Sequence, residues 1–287
     1  MRDRTRWLEL CVSMDVLEDT YFSCEAYKRF AKARDKGTIY LVIYGVMQSL
    51  FVQQDALEAL CKALNYPFKI RDFPALYEAR RLRNVSVGHP VNSKRTDSDF
   101  YHNFMIQVTM TAESFELHSH GKGGTRLRTI ELANLVSQQQ DQVRCVLRKV
   151  AETMRERELQ HRKMFRSERL FDIFEPTNYA MQKVFEAAWK PEHFELGRIM
   201  LPTIVKTLDA FVAALTKRDI EIQAYHGIDD ALKKLKYPLE KLKHAFARKE
   251  TLDAELREIL AYYVSRKLDD LKEGARMIDE EYASDSV

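Results

Sequence analysis

From Thr125 to Glu175 neither glycine nor proline occurs, and all 287 residues hold only 9 Gly and 7 Pro. In a helix interior Pro costs about 3 kcal/mol and Gly about 1 kcal/mol, so a chain that nearly does without both is free to run in long helices. Leu132, Leu135, Val136, Val143, Val146, Leu147 and Val150 recur at helical spacing within this stretch. One helix from about Thr129 to Phe165 is the simplest account. At 1.5 Å per residue it measures about 55 Å, longer than a compact helical domain is wide, and it links two halves of the chain.

The few breakers divide the rest. Asp15 with Glu18 starts a first helix that runs to about Asp35, where Lys36-Gly37 stops it. A second follows from Thr38 through YLVIYGVMQSLFVQQDALEALCKAL and ends at Asn65-Tyr66-Pro67; it is apolar nearly all round at its start, as suits a central helix. A third carries DFPALYEARRLRNVSV, with Asp72 as N-cap and Gly88 as a left-handed C-cap. Past a polar stretch the period changes, because Phe104, Ile106, Val108 and Met110 alternate with Met105, Gln107, Thr109 and Thr111. That alternation, a turn at Ala112-Glu113 and the run SFELHSH predict a β-hairpin closed by the segment GKGG. Beyond Pro176 the helical patterns are Tyr179 to Trp189, Phe194 to Thr216, and Ile228 to about Tyr282 with a break near Lys249. The expected fold class is all-α, mainly a helical bundle, with a small inserted β-hairpin.

Composition removes several classes of function. At 45% hydrophobic and 31% charged, the chain is neither disordered, collagen-like nor built on disulfides. Lys+Arg 46 against Asp+Glu 43 leaves +3, so any nucleic-acid contact must be local. Cys11, Cys24, Cys61 and Cys145 form no C-x-x-C pair, which argues against a zinc ribbon and for a reducing cytoplasm. The first twenty residues are charged throughout and lack the apolar region of a secretory signal. Thr38 to Val52, the most apolar stretch, is interrupted by Gly45, Gln48 and Ser49 and is shorter than the ~20 residues that span a bilayer. A cytoplasmic protein with no membrane partner is expected.

The segment RRLRNVSVGHP, Arg80 to Pro90, carries the most chemistry. Arg83 is followed at once by Asn84 and, past the cap at Gly88, by His89, so the chain can turn the imidazole back toward the arginine. Arg83 would hold a phosphate through its planar fork of donors, His89 would move protons near neutral pH, and Asn84 would fix a hydroxyl or the ring. Arg80, Arg81, Lys94 and Arg95 flank these three and can guide a phosphate backbone toward them. Other candidates are poorer. His118-x-His120 with His102 lacks a completing metal ligand, GKGGT lacks P-loop spacing, and no G-x-S-x-G elbow occurs. The basic stretch Arg155 to Arg169 reads as a solvated helix face.

An arginine, a polar residue and a histidine in this spacing, after an apolar helix ending in QQDALEAL, resemble the signature of the HEPN superfamily. The resemblance covers about residues 13 to 165 and implies an N-terminal helical domain over residues 1–165 with a hairpin insert at about 103–120. Residues 166–287 then form a C-terminal helical domain. It further implies a metal-independent endoribonuclease of toxin or antiviral type that needs no cofactor, with Arg83, Asn84 and His89 as catalytic residues. RNA, tRNA included, would be the substrate, since DNA lacks the attacking 2′-hydroxyl. The partners implied are a second copy, in a homodimer with a composite active site, and an antitoxin or other regulator. The alternative is a non-catalytic HEPN-like module for dimerisation or for protein or nucleic-acid binding.

Overall fold

The computed structural model describes residues 4–88, 100–122 and 124–284. The described residues form eight α-helices and one small antiparallel sheet, a mainly helical fold with a β insertion. They divide into two compact units, Met1–Thr153 and Met154–Val287.

In the first unit, α1 (Arg4–Phe30) packs against α2 (Lys36–Ala63). α1 begins eleven positions before the expected Asp15, since nothing upstream interrupts it. Asp35 turns out to be a cap: its carboxylate accepts from Thr38 N at 2.8 Å, and Gly37 lies inside α2. Asn65, at φ +50°, ends α2 in the left-handed conformation that asparagine tolerates. α3 (Pro74–Arg83) has Pro at its first position and passes directly into a π-turn, Asn84–Gly88. Gly88 is not left-handed, contrary to the capping role expected for it. The core holds Ile43, Met47, Leu50 and Leu57 of α2 with Leu76 and Leu82 of α3.

The insertion has three strands, β1 (Phe100–Met105), β2 (Ser114–Gly121) and β3 (Gly124–Glu131), paired in sequence order. Two expectations are corrected here. The alternation from Phe104 does not continue as strand beyond Met105. Thr109 Oγ1 donates to Ile106 O, Thr111 Oγ1 accepts from Glu113 N and Ser114 N, and Val108 is left 91% exposed, so hydroxyl-bonded turns replace the strand. The long helix likewise does not reach back to Thr129. Gly121 pairs with Gly124 at φ +94°, and the register carries on to Ser114 opposite Glu131. Thr125, Thr129 and Ile130 are β-branched and suit a strand, with Ile130 turned into the core.

α4 (Leu132–Phe165) is unbroken, and the division between the two units falls within it. In the second unit α5 (Glu175–Trp189), α6 (Phe194–Lys217), α7 (His226–Phe246) and α8 (Ala254–Ala283) enclose Phe174, Phe211, Leu215, Leu242 and Leu268. Helices approach closely at Gly197, where an added Cβ would lie 2.6 to 2.7 Å from Phe246 and Ala187. Pro191–Lys217 is long and apolar enough to cross a membrane by length and composition, and α6 within it buries Leu201, Ile204, Phe211 and Leu215 in this core. The expected break near Lys249 is present, with Arg248 at φ +55°. In the basic stretch, Arg162 bonds Glu158 at 2.7 Å and Glu281 at 3.2 Å. Arg166 bonds the Ala283 carbonyl.

Candidate active site

Arg83 is the last residue of α3. Hydrogen bonds in a π-turn span five residues rather than four, which brings Gly88 one turn above Arg83. In an α-helix a residue five positions on would face elsewhere. The approach is tight: a Cβ on Gly88 would stand 2.7 Å from Arg83 Nη1, so glycine is required for contact with the guanidinium and not for an unusual φ.

The guanidinium lies over the ring of Phe51 at 4.3 Å, and Arg80 lies over the same ring at 4.5 Å. Arg83 Nη2 donates to Gln48 Oε1 at 2.9 Å and Nη1 to Asn84 Oδ1 at 3.3 Å. Two of its five N–H groups are thereby used. Its Nε is buried with no partner, and no carboxylate pairs with Arg83 among the described residues. Asn84, expected to hold a hydroxyl or the imidazole, here orients the guanidinium. His89, Lys94 and Arg95 lie outside the described residues.

Arg80 and Arg81 are engaged. Arg80 donates through Nε to Gln54 Oε1 at 3.0 Å and pairs with Asp55. Gln54 is fully buried; its Nε2 donates to Leu76 O at 2.9 Å and to Gln139 Oε1 at 2.7 Å. Gln139 in turn donates to Leu50 O at 2.8 Å and to Gln53 Oε1 at 3.0 Å, and Gln140 donates to Gln53 Oε1 at 3.2 Å. A chain of buried carboxamides therefore ties α2, α3 and α4 together behind the arginines. Gln48, Phe51 and these glutamines escaped the sequence reading, as did the contact of Gly88 with Arg83. The available signal was the pair Gln53-Gln54 and the run Gln138 to Gln140, polar residues inside otherwise apolar helical patterns.

Arg81 forms two 2.8 Å bonds to Glu78, which also accepts from Arg128 of β3 at 2.8 Å. Burial opposes ionisation of Glu78, but the bonds and charges of Arg81 and Arg128 outweigh it and hold its carboxyl below the usual range. A lowered carboxyl stabilises the fold above the unfolded value of about 4.3 and loses that contribution as pH falls through the folded value. Glu78→Gln should therefore melt below wild type at pH 7, and the gap should narrow as pH falls below about 4; a gap unchanged in acid would show that charge is not what Glu78 supplies.

Elsewhere, burial pushes the thiol of Cys24 up and that of Cys61 to about 11, so neither is a nucleophile at neutral pH. No group of three His, Cys, Asp or Glu among the described residues is placed to hold a metal ion. No protein-family model, curated protein or solved structure matches the chain.

Proposed function

We propose that the chain is an endoribonuclease that cuts by attack of a ribose 2′-hydroxyl on the adjacent phosphate, without a metal ion. The observation that carries this reading is Arg83: a half-buried cation with no anionic partner among the described residues, three uncommitted N–H groups, and His89 six positions on in the chain. A buried charge left without a counter-charge is costly, and a phosphodiester would supply the missing anion. In the reaction a bond forms between the 2′-oxygen and phosphorus while the bond from phosphorus to the 5′-oxygen breaks. One histidine takes the 2′-hydroxyl proton and another protonates the leaving 5′-oxygen, giving 2′,3′-cyclic phosphate and 5′-hydroxyl ends. His89 of each copy in a homodimer would provide the two, as the HEPN resemblance implies, with a toxin or antiviral role and a regulatory partner.

Exposed apolar residues on α1 and α2 support the dimer, among them Trp7, Val12, Phe22 and Leu41, the last 75% exposed. Tyr44 lies one turn from Gln48 on α2, so an interface over Tyr44 would adjoin Arg83. The same surface favours the second reading, a module that docks a partner without turnover. The deciding experiment incubates the full chain with total RNA and with tRNA in EDTA and maps the new ends. Cyclic-phosphate and 5′-hydroxyl ends support the nuclease; intact RNA with tight self-association supports the module.

A further inference from the structure

The sheet has two unlike faces. Alternation turns Phe115, Leu117 and Ile130 into the core of the first unit. The other face carries rings. Phe104 of β1 pairs with His118 of β2, their ring centroids 4.7 Å apart and edge-on, and His102 pairs with His120 in the next outward position. Across on β3, Leu127 faces His118, and Thr125 hydrogen-bonds His120 Nδ1 at 3.0 Å, which holds that imidazole in place. Phe104 is 51% exposed and His102 and His120 are exposed as well. Lys122, in the turn beside His120, is exposed and has no ion-pair partner among the described residues. The same holds for exposed Arg126, at that end of β3 but on its other side.

A ring that packs edge-on against its neighbour keeps a π-face available, and the alternation of an antiparallel ladder sets such rings side by side on one face. A sheet with stacking rings and cations at its margin is the chemistry that recognises unpaired bases and their phosphates. An aliphatic partner surface fits less well, since Leu127 is the only aliphatic side chain among these outward positions. From this placement we infer that the outward face of the β-sheet binds single-stranded RNA, bases stacking on Phe104 and His118 and phosphates meeting Lys122 in the adjoining turn. The inference rests on RNA being the substrate, and it makes the insertion the element that presents an unpaired strand.

The test uses the full chain and a fluorescein-labelled 2′-O-methyl oligouridylate of about 12 nucleotides, which has no free 2′-hydroxyl and so cannot be cut by this route. Fluorescence anisotropy should show that wild type binds it, that Phe104→Ala/His118→Ala binds at least about tenfold more weakly, the size of a lost base stack, and that Phe104→Trp binds at least as well as wild type. A matching duplex should bind more weakly than the single strand. If the double variant loses its fold, Phe104→Ala alone and Phe104→Trp decide the matter, since the ring is half exposed. Equal binding by wild type and the alanine variants overturns the inference, even where wild type cuts RNA and the nuclease reading stands. Failure of wild type to bind the strand also overturns it, and leaves the face to a protein partner. Binding that depends on Phe104 in a protein that cuts no RNA upholds the inference while removing the nuclease.

Discussion

Alanine at His89 is expected to slow RNA cleavage by about 10²- to 10⁴-fold, the contribution of a positioned proton carrier, with the melting temperature unchanged. Two companion variants locate the effect. Arg83→Lys keeps the charge but loses the planar fork and the stacking on Phe51. Gly88→Ala sets a methyl group 2.7 Å from Arg83 Nη1. That atom is the far end of a flexible side chain, so the guanidinium should swing aside at little cost to the fold, and cleavage should fall while stability holds. Single-turnover cleavage in EDTA, beside thermal melts of each variant, measures both quantities. Wild-type rates in His89→Ala would place the proton carrier elsewhere; loss of folding in parallel with activity would remove the catalytic interpretation.

The response of Gly88 marks where the sequence was legible and where it was not. The helical class, the position of the β insertion and the breaks near Asn65 and Lys249 followed from breakers and period, because those depend on local steric rules. Three features did not. The alternation from Phe104 to Met110 was outweighed by the hydroxyls of Thr109 and Thr111, which offer the backbone bonds that compete with a ladder. The third strand, Gly124–Glu131, was hidden because freedom from Gly and Pro permits a strand as well as a helix, and only cross-strand pairing with β2 selects between them. At the candidate site, Arg83, Asn84 and His89 were visible as a motif and Gly88 as a cap, but the π-turn that stacks Gly88 on Arg83 is a property of the backbone. Gln48 and Phe51 reach Arg83 from a different helix, 35 and 32 positions earlier in the chain, a proximity that one sequence does not encode locally.

The same separation in sequence makes the buried carboxamides the point where fold and site are joined. Gln54→Leu conserves volume but leaves the Leu76 carbonyl and Gln139 Oε1 without the donor they now have, and Arg80 Nε without its acceptor. Each unsatisfied buried group costs about 1 to 3 kcal/mol, so a loss of about 2 to 4 kcal/mol is expected in urea unfolding. Arg80 would also lose one of its two anchors beside Phe51, so cleavage should weaken even in the fraction that stays folded. Gln140→Leu removes a 3.2 Å bond to Gln53, whose oxygen keeps its bond from Gln139, and a weak bond with the Cys24 thiol, and should cost about 1 kcal/mol. The decisive variant is Gln54→Leu/Gln139→Leu. Replacing both partners of a buried hydrogen bond with apolar groups leaves neither one orphaned, so the double variant should lose less than the sum of the two single losses. Additive losses, or a Gln54→Leu chain as stable as wild type, would mean that these side chains fill space without holding one another.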